Sequence, residues 1–137
     1  MHAMGLLSTQ SDGPLSARMA ADCLGVSEAH LSKVLQRLTK VGLLNSTRGP
    51  KGGFTLIRDP ESVSLLEVFE AIEGPVEPAT CLFGIPLCEG ESCVLGKVII
   101  DVNNTLFEYL AEKTLADIAT VFEQQFDAPE PGALPLT

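Results

Sequence analysis

The chain has 137 residues, of which 45% are hydrophobic and 20% charged, a balance that fits one self-sufficient globular domain and excludes intrinsic disorder. Its net charge is −9, yet the signs are segregated: residues 14–58 hold seven basic side chains against two acidic, and residues 59–137 hold two against fifteen. The basic first half points to a polyanion-binding surface that the acidic second half leaves clear. No apolar run approaches the roughly 18–20 residues of a membrane span, because the stretch around Val98-Ile99-Ile100 is broken by Lys97 and Asp101. Met1–Leu7 lacks the basic segment of a signal peptide, so the expectation is a cytoplasmic protein with no membrane partner.

In chain order, Leu15–Ala21 suits a short helix capped by Ser16, and Gly25-Val26-Ser27 interrupts it. In the helix that follows, Leu31, Val34, Leu35, Leu38 and Val41 recur at helical spacing and form one buried stripe. Ser27 caps its start and Gly42 marks its stop. Leu43–Thr47 and Phe54–Arg58 read as strands flanking Arg48-Gly49-Pro50-Lys51-Gly52-Gly53, which makes a hairpin with a basic tip. Ser64-Leu65-Leu66-Glu67 has capping-box spacing and opens a helix to about Glu73. The stretch from Gly74 to about Ser92 has no helical or strand period. From Val94 an apolar series of Leu95, Val98, Ile99, Val102, Leu106, Tyr109 and Leu110 predicts a long helix whose partner is another subunit. Thr114-Leu115-Ala116-Asp117 repeats the capping-box spacing and predicts a break near Lys113 and a final helix to about Gln125. Residues 127–137, with three prolines, are expected to be a disordered tail. The organisation is therefore a DNA-binding region over 1–60, then a linker helix, cysteine loop and dimerisation helices over 61–126, then the tail.

Ala21, Gly25 and Leu31 stand in the order A-x3-G-x5-L. In a helix-turn-helix the small alanine lets the helices approach, glycine permits the turn, and leucine packs the second helix on the first. The N-terminal residues of that second helix, Ser27, Glu28, Ala29, His30 and Lys33, are the candidates for base edges or phosphates in the major groove. His30 reads equally well as a solvent-exposed helix residue. Arg18, Arg37 and Lys40 fit phosphate contacts that hold register without reading sequence. The hairpin converts the unit into a winged helix, with Arg48 and Lys51 at a tip able to enter or straddle the minor groove. The fold class is thus mainly α with a small β-hairpin wing: a winged helix-turn-helix followed by a long C-terminal dimerisation helix.

Cys81, Cys88 and Cys93 form C-x6-C-x4-C just before the long helix. Soft thiolates in a loop suit iron–sulfur, zinc or copper(I), and the spacing alone does not choose between metal ligation and free or redox-active thiols. Zinc prefers closer cysteine pairs and a fourth ligand, and no histidine follows His30. A cytoplasmic setting and an odd count disfavour disulfides. Cys23, on a helical face beside Leu24, reads as buried packing.

These residues resemble the Rrf2-type bacterial transcription regulators, whose branches include the iron–sulfur-cluster assembly regulator, the nitric-oxide-sensing repressor and the cysteine-metabolism repressor. The resemblance is carried by the segments 26–35 and 38–46, and most specifically by the wing string Arg48-Gly49-Pro50-Lys51-Gly52-Gly53-Phe54. Glu70-Ala71-Ile72-Glu73-Gly74, the three cysteines and Thr114-Leu115-Ala116-Asp117-Ile118 continue it, so that it spans about Ala3 to Phe122. The resemblance implies a homodimer with crossed long helices that binds a palindromic operator in double-stranded DNA. In cluster-bearing members it also implies a two-iron or four-iron cluster, carried over here onto Cys81, Cys88 and Cys93. The histidine that supplies a fourth ligand in the cluster-assembly branch corresponds here to Gly96, which has no donor. In the nitric-oxide-sensing branch a carboxylate near the N-terminus of the other subunit takes that role. Met1–Leu7 resembles the middle of the family's first helix, which implies that preceding residues bearing phosphate contacts are missing.

The function expected is a non-enzymatic DNA-binding regulator sensing iron–sulfur, oxygen or nitric-oxide status through the cysteine loop. The alternative keeps DNA binding and removes the cluster, with control by thiol oxidation or by a partner protein. An enzymatic or structural module fares worst, since no G-x4-G-K-[ST], H-E-x-x-H or G-x-S-x-G motif is present.

Overall fold

The computed structural model describes residues 1–10, 13–76, 79, 81 and 93–126, with side chains as far as residue 122. Cys88 and the tail over 127–137 lie outside the described residues. Helices α1 (His2–Ser8), α2 (Ala17–Leu24) and α3 (Glu28–Lys40) precede an antiparallel hairpin of β1 (Leu44–Thr47) and β2 (Gly53–Leu56). A 3-10 turn at Pro60–Ser62 leads into α4 (Leu65–Glu73), and α5 (Gly96–Glu112) and α6 (Leu115–Phe126) follow.

Serine sets the start of three of these helices. Ser16, Ser27 and Ser64 accept from the backbone N–H groups of Met19, His30 and Glu67 at 3.1, 3.4 and 3.1 Å, each relieving one donor that the first turn leaves unpaired. Helix α2 runs one turn past the expected Ala21, because its stop is Gly25, left-handed at φ 65°. The Val26 N–H returns to the Ala21 carbonyl at 3.0 Å across that glycine, which turns the chain sharply into α3.

The capping-box spacing is used differently at its two occurrences. At α6 the Asp117 carboxylate accepts from both the backbone N–H and the hydroxyl of Thr114, at 2.8 and 3.2 Å. At α4 the Glu67 carboxylate instead takes the Arg58 guanidinium at 2.6 Å. The two helix starts lie side by side: Leu65 N–H donates to Lys113 O at 2.8 Å, and Leu115 N–H donates to Val63 O at 3.0 Å.

One apolar core draws on both halves of the chain. Leu31, Leu35 and Leu38 of α3 meet Ala20 and Ala21 of α2, Leu43 and Leu44 at the wing base, Val63, Leu65 and Val68 around α4, and Leu110, Leu115 and Phe122 beyond. Helix α1 packs on α6, and so closely at Gly5 that a Cβ there would stand 2.3 Å from Ile118 Cγ2. Burying leucines of this kind contributes roughly 2 kcal/mol each and holds α3 against α2.

The two-stranded hairpin carries one isolated bridge beyond the pairing expected. Leu15 pairs with Phe54 on the outer edge of β2, through Leu15 N–H to Phe54 O at 3.0 Å and Phe54 N–H to Leu15 O at 2.9 Å. A Cβ on Gly53 would lie 2.5 Å from both the carbonyl carbon and the oxygen of Leu15, and one on Gly52 would lie 2.1 Å from Thr47 O. The double glycine is therefore required by backbone approach on both sides of the wing.

Candidate nucleic-acid interface and cysteine loop

Helix α3 turns Leu31, Leu35 and Leu38 inward, so Ala29, Lys33, Gln36 and Lys40, at i, i+4, i+7 and i+11, share the opposite, exposed face. Ser27, Glu28, Ala29 and His30 are all exposed at its N-terminal end, where backbone N–H groups and the positive end of the helix dipole also point. Gln36 escaped the sequence reading, although its spacing from Lys33 and Lys40 places it on this face. Arg48 and Lys51 are exposed at the tip of the hairpin. Their stem is held by the register Leu44–Leu56 through Thr47–Gly53 and by the Leu15 bridge. The wing therefore hangs from the residue immediately before the α2 cap, which ties its placement to the helix-turn-helix.

The basic residues of the first half divide by what they touch. Arg18 faces Asp22 at 4.0 Å with both side chains more than three-quarters exposed, a contact too weak to remove it from a phosphate. Arg58 is committed internally, to Glu67 and to the Ser62 carbonyl. Arg37 flanks the outward face on the side that meets α4, and its Nε donates to the Ala71 carbonyl at 3.0 Å.

Two of the three loop cysteines are described, and both are half-buried. Cys93 opens the turn that enters α5, where a Cβ on Gly96 would stand 3.6 Å from its Sγ. Near the other end of the loop, the Asn103 amide on α5 donates to the Ala79 carbonyl at 2.6 Å. Helix α5 thus carries both flanks of the cysteine segment. Among the described residues no three His, Cys, Asp or Glu side chains gather into a metal-binding group, and Cys88 stands outside those residues. Cys23 is half-buried and packs against the core, and burial raises its thiol pKa. That is a packing role and not a reactive one.

Along α5, Leu95, Val98, Val102, Leu106 and Tyr109 form an exposed apolar stripe, with Val102 at 60% and Tyr109 at 56% of full exposure. The stripe adjoins the face that turns Leu110 into the core. Among the described residues no helix is long and apolar enough to cross a membrane.

Helix, glycine turn, helix and a braced basic hairpin define the winged helix-turn-helix class of regulator. Within that class the family model described as "Rrf2: Iron-dependent Transcriptional regulator" matches residues 1–120, and the chain belongs to the Rrf2 family. It is 27% identical over 123 residues to the HTH-type transcriptional regulator CymR of Bacillus subtilis, covering 90% of this chain and 85% of that one. It is 31% identical over 107 residues to the HTH-type transcriptional regulator IscR of Escherichia coli, covering 77% of this chain but 65% of that one. Among solved structures it is similar to B. subtilis CymR, described as the global cysteine regulator, with a TM-score of 0.73, 26% identity and coverage of 88% and 89%. Similarity to T. potens IscR gives a TM-score of 0.70 at 28% identity, with coverage of 94% and 86%. These relatives are named as transcription regulators, not as enzymes.

Proposed function

We propose that this protein is a homodimeric DNA-binding transcription regulator whose cysteine loop sets its affinity for a palindromic operator. In this reading Ser27, Glu28, Ala29, His30 and Lys33 enter the major groove, joined by Gln36, whose amide can both donate to and accept from an adenine edge. Arg18 and Lys40 take phosphates, and Arg48 and Lys51 on the wing reach the adjacent minor groove. The observation that carries the reading is the exposure of these side chains on one reading helix and one braced hairpin, while Arg58 is paired internally. The uncovered apolar stripe of α5 runs continuously from Leu95 to Tyr109 and suits a second copy of the same helix. Because the chain spans only part of the length of IscR, its partners and signal belong to this proposal.

Cys81, Cys88 and Cys93 are the residues that would hold an iron–sulfur cluster. Their donor chemistry fits, since thiolates are the usual ligands, and two of them flank the stretch that α5 carries through Cys93 and Asn103. Such a cluster supplies a redox-sensitive and ligand-sensitive link between the thiolates. The chain's own part is to hold the flanks of the loop on α5, so that a change in loop order is delivered to the dimer helix and to α4.

Thiol-based control without a cluster is the second reading, and a specific observation favours it. Position 96 faces the Cys93 sulfur but is glycine, so the helix offers no fourth donor there. In sequence the match spans 85% of B. subtilis CymR but 65% of E. coli IscR, and CymR, by its description a global cysteine regulator, points the same way. Iron and acid-labile sulfide analysis with a visible spectrum, on full chain purified without oxygen, separates the two. Near-stoichiometric iron and sulfide, lost in the Cys81→Ala, Cys88→Ala and Cys93→Ala variants, is the result expected for the cluster. Colourless, iron-free protein after reconstitution selects the thiol reading.

A further inference from the structure

Helix α4 ends in Glu73-Gly74-Pro75, and its last carbonyls lack helical donors. The Glu70 carbonyl is served by Gly74 N–H at 2.9 Å. The carbonyl of Ala71 would next be served by residue 75, but that residue is proline and has no N–H. The donor comes from another helix, thirty-four residues away in sequence: Arg37 Nε on α3, at 3.0 Å. One residue earlier on α4, the Glu70 carboxylate accepts from Val76 N–H at 3.3 Å, which fastens the chain as it leaves the helix. The end of α4 from which the cysteine segment departs is therefore held by two side-chain bonds, one of them rooted in the reading helix.

We propose that Arg37 is a positioning residue, which caps the C-terminal end of α4 from α3 and thereby couples the start of the cysteine loop to the DNA-reading helix. This rests on the reading of α3 as the recognition helix and of the loop as the sensing element. It reassigns Arg37 from the phosphate contacts that its sequence position suggested. A guanidinium suits this place, because its charge lies against the negative end of the α4 dipole while Nε makes a directed bond. A displacement of the end of α4 moves Ala71, and α3 is pulled or released through Arg37.

Two variants of the full chain separate the roles. In Arg37→Gln the amide nitrogen lies as many bonds from the backbone as Nε does, so the bond to Ala71 survives without the charge. In Arg37→Met both are lost. Hydrogen exchange at Gly74 and Val76 is expected to quicken roughly five- to tenfold in R37M and to stay near wild type in R37Q. Both variants then bind a labelled duplex, selected from a random pool by the wild-type chain, over a range of salt. Each is tested reduced and metal-free, and again after anaerobic incubation with ferrous iron and sulfide.

The expected result is an unchanged salt slope in both variants, with the affinity ratio between the two states retained in R37Q and moved towards one in R37M. A slope reduced by about one in both variants, with unchanged exchange, would make Arg37 a phosphate contact and overturn the proposal. If the wild-type chain shows no difference between the two states, sensing through a cluster fails. Exchange and salt slope still decide whether Arg37 caps α4.

Discussion

The wing depends on Gly53, and Gly53→Ala tests that dependence with a single methyl group. The added carbon would lie 2.5 Å from the Leu15 carbonyl carbon and oxygen and 2.8 Å from Ser16 N, all of them backbone atoms that cannot rotate aside. Relief requires the Leu15 segment to move off β2, breaking the bonds of 3.0 and 2.9 Å that join Leu15 and Phe54, at about 1 kcal/mol each. Ser16, the next residue, caps α2, and disturbing that cap costs up to about 1 kcal/mol more. The expected loss is about 2–3 kcal/mol, or a fall in melting temperature of about 8–12 °C at fixed protein concentration. Urea unfolding measures it, with Ser46→Ala on the same hairpin as a control expected to stay within about 0.5 kcal/mol of wild type. Operator affinity should fall as well, because the basic tip is carried by the same stem. A Gly53→Ala protein as stable as the control, with undiminished DNA binding, would refute the bracing of the wing by Leu15.

At the wing tip, Arg48→Ala and Lys51→Ala should each weaken DNA binding in fluorescence titrations and lower the slope of log affinity against log salt by about one, with no loss of stability. On α5, Val102→Glu puts a charge into the exposed apolar stripe; sedimentation should show dissociation at concentrations where the wild-type chain is dimeric, and a persistent dimer would place the interface elsewhere. Asp117 is held below its ordinary carboxylate pKa of 3.8, first by the Thr114 backbone N–H and also by Lys113. A carboxyl with a depressed folded pKa contributes stability that is present above the unfolded value and lost as pH falls through the folded one. Asp117→Ala should therefore be less stable than wild type at neutral pH, with the gap closing in acid; unfolding curves showing a constant gap would contradict the cap.

Local rules carried most of the fold. Ser16, Ser27 and Ser64 are legible as caps because the accepting serine and its N–H donor lie three residues apart, and Gly25 is legible because a sharp turn between two helices needs a left-handed residue. The pairing of Leu15 with Phe54 was not legible: a single bridging residue has no alternation, and its partner lies beyond both motif helices. Charge counting likewise could not tell Arg58, paired with Glu67, from Arg48, which is exposed. The bond from Arg37 to Ala71 spans thirty-four residues, and only the missing N–H of Pro75 hints at it. Gln36 has no charge to draw notice and is found by face alone.

Control of DNA affinity by a cluster on the cysteine loop is tested most directly by titrating a wild-type-selected duplex with full chain, anaerobically, in the reduced metal-free state and after loading with ferrous iron and sulfide. A coupling of about 1.4 kcal/mol would give a tenfold difference in Kd between the two states, and the triple variant Cys81→Ala, Cys88→Ala, Cys93→Ala should abolish it while still binding DNA. Equal affinity in both states for the wild-type chain, or a difference that survives removal of all three thiols, would contradict it.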